Sequence, residues 1–255
     1  MNQILTIGGS DSSGGAGVLA DKETLDSLGA HTFCVITAIT AQSKERFHHS
    51  LVIPKKTLEA QLESIDLPKI GAIKIGMLPD SHTIEVVRRF LLKAGPVKSV
   101  LDPVFTSSSG GNLITEEGIS SIRSRLLPLA SIITPNINEA ECLTKIVASC
   151  KQGIVKQAEE CIELGASAAL VKGGHLQIDS CPDALSQKNE KVFLFDRKRI
   201  PGGTEVRGTG CRLASAISYF LASGNSVTKA VENASQYLES FLKSKIISPQ
   251  KFLGH

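Results

Sequence analysis

The chain of 255 residues has no tryptophan and two tyrosines beside nine phenylalanines. That leaves few flat rings on which bases could stack, and no run of lysine or arginine offers a nucleic acid a footprint. The balance of 28 basic against 25 acidic side chains, a formal net charge of +3, is too even for such a partner. No apolar stretch is long enough to span a bilayer. The opening MNQILTIGGSD has a short apolar run, lacks a basic leader and breaks at glycine. It reads as neither a signal peptide nor an anchor, so a cytoplasmic location is expected, with neither nucleic acid nor membrane as partner. The six cysteines (Cys34, Cys142, Cys150, Cys161, Cys181, Cys211) form no CxxC pair and no zinc spacing. They are expected to be reduced, small and partly buried hydrophobes. Linkers, low-complexity tracts and repeats are missing too, so residues 1–255 are read as one domain.

What the chain does have is alternation. Hydrophobic residues make up 42% and charged residues 21%, an ordinary globular balance. Short runs rich in Ile and Val (QILTIGG, TFCVITAITA, GAIKIGM, KSVLDPV, ASIITPN, SAALVKGG) take turns with helix-like segments. Strands this apolar suit a sheet covered on both faces, and the β-α rhythm predicts a mostly parallel α/β sheet. KVFLFDRKRI reads as a hairpin or edge strand, and two helices are predicted at about 210–223 and 226–244. Ligands of such sheets bind beyond the carboxyl ends of the strands, which is where the distinctive motifs fall.

GGSDSSGGAG (8–17) follows the first strand. Its glycines permit tight turns and close backbone approach, yet it has neither the GK[ST] of a P-loop nor the GxGxxG spacing. Asp11 within it suits a substrate hydroxyl or ring atom, or simply a local cap. Asp102 in VLDPV is either a carboxylate for Mg²⁺ or part of an Asp-Pro turn. In TPNINEAE, Asn136 and Glu139 have the spacing of a capping box, which is compatible with reaching a metal–phosphate cluster. Lys172 in LVKGGH suits nucleotide phosphates as a point charge, or is an exposed turn lysine. His175 is given no role, and the adjacent histidines of FHH (47–49) read as a solvated turn. VRGTGCRLASA (206–216) is the most specific signal. A Gly208-Thr209-Gly210 turn runs into a helix, so free N–H groups would converge on an anion, with Cys211 at the mouth. A helix mouth also favours thiolate, which the flanking arginines would reinforce if they point inward. A protease nucleophile or a metal ligand is disfavoured there, since no histidine base or second ligand is marked nearby.

In their order, GGSDSSGGAG, TAITAQ, IKIGML, VLDPV, TPNINEAE, VKGGH and GTGC resemble the hydroxymethylpyrimidine/phosphomethylpyrimidine kinase family of thiamine biosynthesis, within the ribokinase-like superfamily. The resemblance covers about residues 3 to 244. It implies a three-layer α/β/α sandwich with a mostly parallel central sheet, assembled as a homodimer. The implied reaction moves the ATP γ-phosphate to a small molecule, 4-amino-5-hydroxymethyl-2-methylpyrimidine, and then to its monophosphate. By the same resemblance Gln42 hydrogen-bonds the pyrimidine, its amide offering both a donor and an acceptor. Gly9, Asp11 and Met77 line that pocket. Asp102, Asn136, Glu139 and Lys172 match the Mg–ATP side, with Asp102 and Glu139 toward the metal. The GTGC turn matches the anion hole, and Cys211 the base that takes the substrate's hydroxyl proton. ATP and Mg²⁺ are thus the expected cofactors, with a monovalent cation as a further candidate.

The chain departs from the family pattern in three places. SKERFHHSL follows TAQ where a polar Asn-Thr and a Gly-Val turn are usual; Arg207 and Arg212 stand where His and Thr are common; and the lysine expected after the DPV motif is absent from TSSSGG. Arg212 in a first helical turn opposes the helix dipole by about 0.3–1 kcal/mol, a cost that a bound phosphate is expected to offset. The altered 43–50 segment keeps a pyridoxal kinase open as an alternative. The arginines and the missing lysine do the same for a nucleotide- or pyrimidine-binding protein without catalysis.

Overall fold

The computed structural model describes residues 2–43, 46–107, 110–174, 176 and 180–247. Lys44, Glu45, Ser108, Ser109 and His175, which belong to segments singled out above, lie outside the described residues. One nine-stranded sheet runs through the chain, in the order β3-β2-β1-β4-β5-β6-β7-β8-β9. The strands are β1 (Gln3–Asp11), β2 (His31–Gln42), β3 (Phe47–Val52), β4 (Ala72–Ile75), β5 (Lys98–Leu101), β6 (Ile132–Ile133), β7 (Ala168–Lys172), β8 (Ser180–Gln187) and β9 (Phe193–Lys198). From β2 across to β7 all pairings are parallel, while β2–β3, β7–β8 and β8–β9 are antiparallel. KVFLFDRKRI is indeed the edge strand of a hairpin.

Successive residues of each central strand enter opposite cores, as a period of two requires. Ile73, Ile75, Leu101 and Ile133 pack into one cluster, and Val100, Ile132 and Leu170 into another. The first face is covered by α2 (Lys55–Glu63), α3 (Ser81–Ala94), α4 (Glu116–Ser121), α5 (Ile137–Thr144) and α6 (Lys151–Glu163). The second face carries α1 (Gly17–Ser27), α7 (Thr209–Ala222) and α8 (Val227–Ile247). The result is the three-layer α/β/α sandwich that the resemblance implies.

Several local expectations need correction. The apolar-periodic stretch EEGISSIRSRLLP (116–128), one of the helix-like segments, is α-helical only to Ser121, gives one wide turn over 122–126, and ends in a 3₁₀ turn at Leu127–Leu129. Pro128 cannot continue an α-helix, because it lacks the N–H. FHH is not a turn: it opens β3, with His48 and His49 exposed on an edge strand. Of the cysteines only Cys161 is buried, whereas Cys34, Cys142 and Cys150 are exposed. Among the described residues no helix is long and apolar enough to cross a membrane.

Chain direction reverses across the sheet between β1 and β4: β2 lies to one side of β1, and the later strands to the other. Such a switch point splays the connecting segments apart and leaves a crevice at the carboxyl ends. Helix starts differ in how they are finished. α3, α4 and α5 are capped by the side chains of Asp80, Thr115 and Asn136. By contrast α1, α2, α6 and α7 begin with no side-chain cap, and of these α1 and α7 open on the crevice.

Candidate active site

The crevice is a cleft of about 640 Å³, and every residue selected from the motifs lines it. That volume suits a small-molecule site. Gly9, Asp11, Gln42 and Met77 form one end; Asp102, Asn136, Glu139 and Lys172 form the other. The 207–211 turn touches both. Arg207 reaches Asp11, while a β-carbon placed on Gly210 would stand 3.2 Å from Lys172 Nζ and 4.0 Å from Asp102 Oδ2.

At the second end, Asp102 follows β5 and Lys172 closes β7. Lys172 Nζ donates to Asp102 Oδ1 at 3.0 Å, and Thr134 Oγ1 donates to the same oxygen at 3.1 Å. Burial would push the Asp102 carboxyl up, but the charges of Lys172 and Lys74 and the two hydrogen bonds outweigh it and hold it below the usual carboxylate value. Lys172 is therefore no exposed turn lysine. Burial would lower its pKa, yet Asp102 and Glu139 keep it raised and the side chain charged. The capping box is also present: Asn136 Oδ1 accepts from the Glu139 N–H at 3.0 Å, and Glu139 Oε2 accepts from the Asn136 N–H at 2.8 Å. One carboxylate thus serves both helix start and cleft.

Burial pushes Glu139 up to about 7, with the Asp102 charge adding and Lys172 opposing. Its ordinary value is 4.5, so the folded chain holds this proton more tightly than the unfolded chain. The sign follows: as pH rises from about 4.5 through 7, this group removes stability from the ligand-free protein. Glu139→Gln keeps the capping box, which accepts Gln at that position, and abolishes the titration. Thermal unfolding from pH 5 to 8 should show Tm falling in the wild type relative to the Gln variant. Parallel profiles would contradict the assignment.

The turn before α7 is held open by backbone conformation. Gly208 sits at φ +71°, and a β-carbon there would lie 2.1 Å from the Gly15 carbonyl oxygen. The two glycine-rich segments therefore touch through backbone, and the starts of α1 and α7 converge on Cys211. The expectation of a poised thiolate is not met. Burial pushes the Cys211 thiol up to about 11; Asp21 and Asp102 push the same way, while Lys74 and the Gly17 N–H oppose them. The helix mouth alone predicts the opposite because it leaves out the cost of charging a sulfur that the surrounding chain shields from water.

Beneath this turn lies a pair that no motif marked. Lys74 of β4 is 1% exposed and lies 2.9 Å from each carboxylate oxygen of Asp21 on α1. Asp21 also accepts from Thr6 Oγ1 at 2.7 Å and Ser215 Oγ at 2.9 Å. Burial would lower the Lys74 pKa, but the negative charge of Asp21 and, further off, Cys211 and Asp102 keep it raised. A lysine inside the apolar run AIKIG was the available signal, since a charge between buried neighbours needs a partner.

At the first end, Asp11 Oδ1 accepts from the Ser13 N–H and Oγ, both at 2.9 Å, so it is the local cap as well as part of the pocket wall. Gln42 Nε2 donates to Thr40 Oγ1 at 3.4 Å, whereas its Oε1 is buried with no hydrogen-bond partner among the described residues. Phe47, from the divergent segment, packs with Ala38, Met77, Leu113 and Val104 behind the pocket. Of the two arginines beside the turn, only Arg207 faces the cleft. Arg212 turns away, which corrects the expected phosphate contact. It is 4% exposed, donates to Glu23 Oε2 at 2.6 Å, and lies 4.2 Å from the ring centroid of Phe241. Its cost at the helix start is offset inside the protein.

The family model for phosphomethylpyrimidine kinase matches residues 11–253. The hydroxymethylpyrimidine/phosphomethylpyrimidine kinase of Streptomyces coelicolor is 37% identical over 238 residues, 92% of this chain and 86% of that one. The crystal structure of phosphomethylpyrimidine kinase from Clostridium difficile 630 superimposes with a TM-score of 0.83 at 36% identity, covering 95% of this chain and 100% of that chain. Pyridoxal kinase of Staphylococcus aureus, in complex with AMP-PCP and pyridoxal, gives a TM-score of 0.84 at 28% identity, covering 95% and 88%.

Proposed function

The chain belongs to the phosphomethylpyrimidine kinase family and is a phosphotransferase of thiamine-pyrimidine synthesis; from that premise we propose how its cleft divides the work. The Gly9–Gln42 end takes the aminopyrimidine, and the Asp102–Lys172 end takes the phosphates of ATP. Gln42 carries the substrate assignment. A buried amide oxygen without a donor costs about 1–3 kcal/mol, and the exocyclic amino group of the pyrimidine is the donor that removes this cost. The γ-phosphoryl group then passes in front of residues 208–211, whose N–H groups meet the charge spreading over its oxygens. Lys172 neutralises phosphate charge from the other side.

Among the described residues no cluster of three or more His, Cys, Asp or Glu side chains could hold a metal alone. Two carboxylates, Asp102 and Glu139, nonetheless fit Mg²⁺, which binds through one or two carboxylates and the phosphates of its nucleotide. Bound there it would neutralise charge on the transferring group. A homodimer, a single domain and a cytoplasmic location complete the reading. Ile39 and its cross-strand partner Leu51, both exposed on the β2–β3 edge, support the homodimer.

Cys211 is the base in this scheme, although a thiol near 11 is almost wholly protonated at neutral pH. The positioned donors therefore supply most of the rate, and kcat should climb between pH 7 and 9 as thiolate forms. Cys211→Ala should lower kcat on the order of 10²-fold and flatten that rise; an unchanged rate and profile would remove the base role. The substrate reading is tested by phosphoryl transfer from Mg–ATP to hydroxymethylpyrimidine, its monophosphate and pyridoxal, with and without K⁺. Turnover of both pyrimidines is expected. Turnover of pyridoxal alone would overturn the assignment, and ATP binding with no turnover would favour a binding protein.

A further inference from the structure

The two transfers use acceptors of very different charge. The hydroxymethyl arm is neutral, whereas a phosphate monoester carries about −1.5 to −2 at pH 7. An acceptor phosphate must sit between the pyrimidine ring and the incoming phosphoryl group, which is to say between the Asp11–Gln42 end and the 208–211 turn. That stretch needs a cation, because Asp11 is 2% exposed and would repel the phosphate. Lys74 is committed to both oxygens of Asp21, and Lys172, beside Asp102, serves the phosphates of ATP in this scheme. Arg207 is placed differently. Its backbone adjoins Gly208, and its side chain, 15% exposed, lies along the cleft wall. Its guanidinium donates to Ser13 Oγ at 2.9 Å, to the Ser43 carbonyl at 3.3 Å and to Asp11 Oδ2 at 3.4 Å. The contact with Asp11 is the longest of these, and a guanidinium fork matches the geometry of a phosphate better than that of a single distant carboxylate oxygen.

We infer that Arg207 receives the acceptor's own phosphate in the second transfer, and so sets the preference of this enzyme for the pyrimidine monophosphate over the alcohol. The inference rests on the two-acceptor reading above. When the phosphate arrives, Arg207 keeps its hold on Ser13 and turns its fork from Asp11 to the phosphate oxygens. Asp11, released from that contact, remains bound by Ser13.

The test is kcat/KM for both acceptors in wild type, Arg207→Gln and Arg207→Lys. A charge-assisted contact of this kind predicts that the monophosphate-to-alcohol ratio falls about 10- to 100-fold in the Gln variant, with partial recovery in the Lys variant. Equal losses for the two acceptors would overturn the inference and make Arg207 a brace for the 11–13 loop. A wild type that turns over both acceptors, with a ratio unmoved by either variant, would likewise overturn it and leave the two-acceptor reading intact. A wild type that turns over only the alcohol would overturn both.

Discussion

Lys74→Met should destabilise the fold by about 3–5 kcal/mol, the usual cost of leaving one member of a buried ion pair without its partner. Asp21, fully buried, would keep two hydroxyl donors, Thr6 and Ser215, but no cation. In a chain of this size that corresponds to a drop in Tm of roughly 10 °C or more. Urea unfolding measures it directly, and a loss under 1 kcal/mol would show that Asp21 simply takes up a proton. Lys74→Met combined with Asp21→Leu removes both charges and should recover most of the stability, since apolar replacements of a buried pair are often neutral. Turnover should recover largely with it, because the double variant removes together the Lys74 charge that holds the Cys211 thiol down and the Asp21 charge that pushes it up. Restored folding and kcat would make the pair a support for the site; restored folding with depressed kcat would show that the Lys74 charge itself serves the reaction.

Gly208→Ala should leave a folded protein and remove about 10²–10³ from kcat, the scale of losing a preorganised donor. Two effects coincide there: a left-handed φ that side chains disfavour, and backbone 2.1 Å from the new methyl group. Either the 8–17 loop or the start of α7 has to retreat, and both carry the donors aimed at the transferring group. Gly174→Ala is the control, because among the described residues nothing lies within 4 Å of a β-carbon placed there. Similar kcat values in the two variants would show that the 208–211 turn does not organise transfer.

The β-α order was legible because the central strands are apolar on both faces and the site motifs follow them. Two strands escaped for physical reasons. β3 (FHHSLV) is an edge strand, exposed or half-exposed throughout, so it has no buried face to impose a period. β8 (SCPDALSQ) contains Pro182 and Asp183, residues that ordinarily argue against a strand. Within the site, residues that act from strand ends stood out, whereas those that act through a distant partner did not. Lys74 and Asp21 are 53 positions apart, and neither is unusual until the other is beside it. Arg212 and Cys211 were misjudged for a shared reason. Position at a helix start is visible in the order of residues; side-chain direction and the cost of burial are not.

The two uncapped helix starts that open on the cleft, those of α1 and α7, bear on how the protein fares when its metabolites run short. The Gly17 N–H of α1 meets the Cys211 sulfur, and a ligand seated at the mouth of α7 would meet the donors left there, so occupancy would add to the stability of the fold. Mass action sets the scale: a ligand at 100 times its Kd adds about 2.7 kcal/mol to the free energy of unfolding. Supply of nucleotide and pyrimidine thereby governs the lifetime of the enzyme as well as its rate, and the molecules left idle are the first to be lost to proteolysis.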